Sequence, residues 1–158
     1  MPRFFEKLKF IKAEFNIDVE KTNDLSTNSN LLMQKMFSLA KQITHNLKPN
    51  TNHILGIFNL KNLDSGQSTQ TLSNVLRKDF EDILSGVEGF TVREIRYPDQ
   101  SKKDKNKIAM YNNLDIYIAG GYRILEDNIE IRARLLEAAT NNILGSGKIL
   151  IRKQYIYP

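Results

Sequence analysis

The stretch from Leu114 to Ile151, LDIYIAGGYRILEDNIEIRARLLEAATNNILGSGKILI, limits the possible folds more than any other part of the chain. It opens as an apolar run, meets Gly120-Gly121, passes a polar Glu126-Asp127-Asn128 turn and then alternates strictly. Within residues 128–136, Ile129, Ile131, Ala133 and Leu135 fall on one side and Glu130, Arg132 and Arg134 on the other. A period of two means a strand with one face on a core and one in water. A second polar stretch follows, then a third apolar run entered through Gly145-Ser146-Gly147. The reading is three strands in series, with a bend at the first glycine pair and a flexible entry to the last strand.

Upstream the period changes. Leu32, Met36, Leu39, Ile43 and Leu47, helped by Phe37 and Ala40, recur at helical spacing. Ser29 or Asn30 caps that helix and Pro49 stops it. Met33 and Met36 read as core fillers. HILGIFNL at 53–60 is a short continuous apolar run, as expected of a strand covered on both faces. Ser68 or Thr69 opens a second helix over 70–84, with Leu72, Val75, Leu76, Phe80 and Ile83 inward. Arg77, Lys78, Glu81 and Asp82 form its solvated face, and Gly86 lies just past its end. FTVREIRY at 90–97 is the next strand; residues 98–107 are a charged loop, and IAMYNN adds a short helical turn.

The expected fold class is therefore α+β. It should contain a mixed or mostly antiparallel sheet, a C-terminal three-strand meander and two or three packed helices. At the other end, Phe4, Leu8, Ile11 and Phe15 place an apolar stripe on an N-terminal helix, and the polar residues 16–30 read as a linker. The expected organisation is an amphipathic helix and linker over 1–27 and a single α+β domain over 28–158. A chain of 158 residues is long enough to bury roughly two-thirds of its unfolded surface.

Chemistry is thinly represented. There is no cysteine, so thiolate metal sites, disulfides and cysteine nucleophiles are excluded. His45 and His53 are the only histidines and lack ligand spacing, and no metal or cofactor is expected. Ser146 sits between glycines without the spacing of a phosphate loop, and no nucleophile elbow occurs. Asp79, Glu81 and Asp82 read as helix solvation. No catalytic residue is assigned, and the chain is read as a non-enzyme.

Two surfaces remain. The net charge is +5, and Lys102, Lys103, Lys105 and Lys107 cluster in the charged loop, flanked by Tyr97 and Tyr111. Such a patch can meet phosphates, so nucleic acid is an alternative partner, although Asp99 and Asp104 interrupt it. The second candidate is protein contact, expected at the outward face of the strand over 128–136, with Arg132 and Arg134, and at the N-terminal helix, with Phe4, Leu8 and Ile11. An exposed sheet edge near Arg152, Lys153 and the tail Tyr155, Ile156 and Tyr157 also invites self-association into a homo-oligomer. No stretch approaches the ~20 apolar residues of a transmembrane helix. If Met1 is the natural start, the cytoplasm is the expected compartment; if a signal segment has been removed, the cell envelope.

The segments MFSLAKQITHNL, HILGIFNL, TLSNVLRKDFEDIL, FTVREIR and the run from Leu114 together resemble a bacterial group. The pattern is similar to the flagellar outer-membrane accessory proteins of the FlgO type. More distantly it is similar to the superfamily holding the curli-export lipoprotein and the lipoprotein activators of penicillin-binding proteins. Gly121-Tyr122 and Ala133-Arg134-Leu135 stand at matching positions. The resemblance covers roughly residues 30–152. It implies a non-catalytic assembly or regulatory module of an envelope or flagellar machine, and it brings no catalytic residue with it.

Overall fold

The structure is a computed structural model, which describes residues 24–48, 51–64, 70–97 and 104–155. In chain order the described elements are α1 (Asp24–Thr44), β1 (His53–Ile57), β2 (Lys61–Asn62), α2 (Gln70–Ser85), β3 (Phe90–Val92), α3 (Lys105–Tyr111), β4 (Ile116–Ile124), β5 (Asn128–Glu137) and β6 (Ile143–Arg152). A 3-10 turn over Lys153–Tyr155 follows.

The sheet runs β3-β1-β4-β5-β6, with β2 pairing β4 beyond the end of β1. β1 is parallel to β3 and to β4, and β2 is also parallel to β4. β4, β5 and β6 form an antiparallel meander. The expected α+β class with a mixed sheet is what the chain adopts.

Helix α1 begins at Asp24, inside the stretch read as linker. Ser, Thr and Asn are weak helix formers, at up to ~0.7 kcal/mol each relative to Ala, but they do not break a helix. Neither Gly nor Pro stands between Asp24 and Leu47 to stop it. It ends at Thr44, whose hydroxyl turns back to donate to the Ala40 carbonyl at 2.7 Å. Leu47, read as the last helical core residue, lies past the end and packs only partly on the core. Helix α2 matches the expected span within a residue. Its buried arc passes through Leu72, Ser73, Leu76, Phe80, Ile83 and Leu84, and leaves Val75 at 39% exposure. Ser73 is tolerated there because its hydroxyl donates to the Leu60 carbonyl.

Both helices share one core with the sheet. Met36, Leu39 and Ile43 of α1 meet Leu76 and Phe80 of α2 over Leu55, Ile118, Tyr122, Ile131 and Leu135. Burying each such side chain contributes on the order of 1.5–3 kcal/mol. The inward residues of β5 expected from alternation, Ile129, Ile131, Ala133 and Leu135, are all buried here.

The apolar run 53–60 is covered on both faces, as its composition implied. Leu55, Ile57 and Leu60 face the helices, while Phe58 joins a smaller cluster on the opposite face. It is not one strand, however. The chain leaves the ladder at Phe58, whose N–H donates to the Ile118 carbonyl at 3.0 Å, and pairs again at Lys61–Asn62. The run 90–97 is a strand only through Val92; the Arg93 N–H still donates to the Leu55 carbonyl at 2.8 Å, and at Arg96 side-chain hydrogen bonds replace the ladder.

Two glycine readings need correction. Gly120-Gly121 makes no bend: β4 stays paired with β5 from Ile116↔Glu137 to Ile124↔Ile129. A Cβ on Gly120 would collide with the Arg132 carbonyl, so the residue is small because two strands approach closely there. Gly145-Ser146-Gly147 likewise lies within β6, where the backbone of α1 at Ile43 presses on Gly145.

Candidate functional site

The face of the sheet opposite α1 and α2 is only partly covered. Ile108 and Ala109 of α3 pack with Phe58, Leu114, Tyr117, Ala119, Leu136 and Ala138 at one end. A side-chain clamp fixes that short helix. Asn112, buried at its C-terminus, accepts from the Arg96 N–H and donates to the Arg96 and Ile108 carbonyls, each at 2.8 Å. Arg93 adds a donation to the Asn112 carbonyl at 3.1 Å.

Beyond α3 the face is open, forming a groove of about 1230 Å³. The sheet register sets its layout. Lys61 lies beside Gly121, which faces Arg132, which faces Lys148. Two residues along, Ala119 faces Arg134, which faces Ser146. Neighbouring strands are ~4.8 Å apart, so each row spans roughly 10–15 Å. The small residues Ala119 and Gly121 make a trough along β4. Arg132 and Arg134 stand on one side of it, and Lys61 and Lys105 on the other.

The groove is cationic. Among the described residues Lys61, Lys105, Arg123, Arg132, Arg134 and Lys148 line it against one carboxylate, Asp104. Arg132 pairs with Glu130 at 2.6 Å and Arg123 with Asp64 at 3.7 Å. Among the described residues, Lys61, Lys105, Arg134 and Lys148 form no ion pair. Burial holds the Lys105 ammonium below its usual range, and the neighbouring charges of Lys61 and Arg134 lower it further. Its Nζ lies 5.9 Å from the centre of the Phe58 ring, which offsets part of that cost. Burial raises the Tyr117 phenol, with Arg134 opposing the shift, and the hydroxyl donates to the Asn141 side-chain oxygen.

The edge of the groove is guarded. The Lys148 N–H on edge strand β6 donates to the side-chain oxygen of Gln42 in α1 at 3.0 Å. A helix lying along an edge strand reduces its tendency to pair with other chains. Exposed apolar residues border the groove: Leu63 at 42% and Ile143 at 55%.

This arrangement concentrates positive charge. His45 donates to the Gln42 carbonyl and His53 bonds Thr51, both at 2.8 Å and both outside the groove. On α2, Glu81 pairs with Arg77 at 3.2 Å. Asp79 is not simply solvated: burial, with the Asp82 charge adding, pushes its carboxyl up to about 6.

Arg132 and Arg134 therefore stand on the open face, where alternation placed them. Lys105 and Lys107, read as loop residues, lie on α3, and Lys105 joins Arg134 in the groove. Phe4, Leu8, Ile11, Lys102 and Lys103 lie outside the described residues. Sequence reasoning missed Lys61, Arg123, Lys148, Tyr117 and Asn141. The alternation of Ser146, Lys148 and Leu150 was readable, but the register that puts Lys148 opposite Arg132 was not.

No protein-family model matches the chain, and no curated protein matches its sequence. Solved structures share its fold. One is the LpoB C-terminal domain from Salmonella enterica, with a TM-score of 0.56 and 14% identity over 75% of this chain and 96% of that one. Another is the LpoB C-terminal domain from Escherichia coli, with a TM-score of 0.54 and 12% identity over 72% and 94%. At 14% and 12% identity these likenesses bear on the fold alone.

Proposed function

We propose that the chain is a non-catalytic interaction module of a bacterial envelope assembly, and that it meets a protein partner through the open face of its sheet. The observation that carries this reading is the unequal treatment of the two faces. Helices α1 and α2 bury most of one face, whereas the other leaves Arg132, Arg134, Lys148 and Leu150 exposed in ordered strands. The fold shared with the LpoB C-terminal domains supports it, as does the envelope module that the sequence resemblance implies. A flagellar accessory role is the finer form of the same proposal. The working unit is the domain over 28–158, extended to take in the start of α1 at Asp24.

Photo-crosslinking in the native cells tests this. A benzoylphenylalanine at Lys148 should yield a discrete protein adduct, and one at Lys78, exposed on α2, should not. Equal yields at the two positions would remove the open face as the contact surface. Nucleic-acid contact through residues 102–107 predicts instead a salt-steep mobility shift with DNA or RNA.

A further inference from the structure

We infer that the groove on the open face binds an acidic, extended peptide segment of the partner, held by Lys61, Lys105 and Arg134. This rests on the proposed contact role and names its chemistry. Three cations from three separate elements, β2, α3 and β5, converge on one trough. Bringing like charges together costs stability and favours an anionic occupant, and among the described residues no carboxylate pairs with any of the three. Lys105 is additionally half-buried, so its ammonium has given up part of its hydration in advance of any ligand.

Shape selects among anions. The trough is open and lies along β4, with small residues on its floor, which suits an extended chain lying parallel to the strands. Its flanks carry the exposed apolar residues Leu63 and Ile143, which suit the apolar side chains of a peptide. A single-stranded nucleic acid needs aromatic faces for stacking. Among the described residues the one aromatic lining the groove, Tyr117, is 2% exposed and its hydroxyl is tied to Asn141. A free phosphate needs converging donors in a closed nest, whereas these cations line an open trough.

Titration of the ¹⁵N-labelled chain with capped hexaglutamate, followed by amide shifts, tests the inference. Saturable shifts should centre on Lys61, Lys105, Ala119, Gly121 and Arg134. The double variant Lys105→Gln/Arg134→Gln should bind at least tenfold more weakly, and Lys78→Gln within twofold of the parent. The spectra themselves report whether each variant is folded. Shifts spread evenly over all basic residues would overturn the assignment, as would equal losses in Lys78→Gln. Inorganic phosphate or a twelve-nucleotide single strand binding the same residues as tightly would overturn it in favour of those ligands. The crosslink at Lys148, repeated in the double variant, separates the two claims. Its persistence sinks the acidic-peptide assignment and keeps the contact face. Its absence in the parent chain sinks the contact face whatever hexaglutamate does.

Discussion

Gly145 and Gly147 lie two residues apart on β6, yet a methyl group at each would meet different obstacles. At Gly145 it would strike the backbone carbonyl of Ile43, so α1 itself must move. At Gly147 it would meet the Gln42 side-chain oxygen at 2.6 Å and the tip of Leu39 at 3.0 Å, which can rotate, and the Gln42 Cβ at 2.8 Å, which yields only with a small shift of the helix. Overpacking against backbone belongs at the upper end of the usual range. Gly145→Ala should therefore cost about 3 kcal/mol and Gly147→Ala less, about 1–2 kcal/mol. Urea denaturation of the two variants measures the difference, and equal losses would contradict the close approach of α1. No local pattern separates these glycines. Both read as a flexible entry to the last strand until the helix is placed across them.

At the level of elements, α3 depends on one side chain. Seven residues make too short a helix to stand alone, since isolated helices under ~12–15 residues are marginal in water. Ile108 and Ala109 give it only a small apolar footing. Asn112 completes the attachment by acting as a miniature strand for Arg96, accepting from its N–H and donating to its carbonyl. Asn112→Ala leaves both groups without their partner and should destabilise the chain by roughly 2 kcal/mol. Hydrogen exchange should show the loss first at the amides of residues 105–112, before β5. Uniform loss of protection across the sheet would mean that α3 is no separate unit. IAMYNN suggested a helical turn, but the role of Asn112 depends on a partner sixteen residues away and had no local signature.

Across the whole molecule, the cation cluster sets binding against stability. Lys61, Lys105 and Arg134 repel one another in the free protein, so Lys61→Gln should raise stability by a few tenths of a kcal/mol at low salt, as exposed charge pairs allow. The gain should shrink above ~0.5 M salt, where the Debye length falls to a few ångströms. Denaturation midpoints at low and high salt check this, and a loss of stability would mean that Lys61 has a structural partner. The larger comparison concerns what could be read without coordinates. Alternation in β5 and helical spacing in α1 and α2 fixed which faces turn inward, because burial of apolar area acts on each element through its own period. That was enough for the α+β class, the C-terminal meander and the outward position of Arg132 and Arg134. Long-range placement was a different matter. Lys61, Lys105, Arg134 and Lys148 lie far apart in the chain and meet only through the pairing of β2 with β4, the register of β5 with β6 and the seat of α3. The helix ends, the break in the ladder at Phe58 and the straight passage through Gly120-Gly121 were also decided there. Period is a property of neighbours in sequence, and the charge field of the groove is a property of neighbours in space.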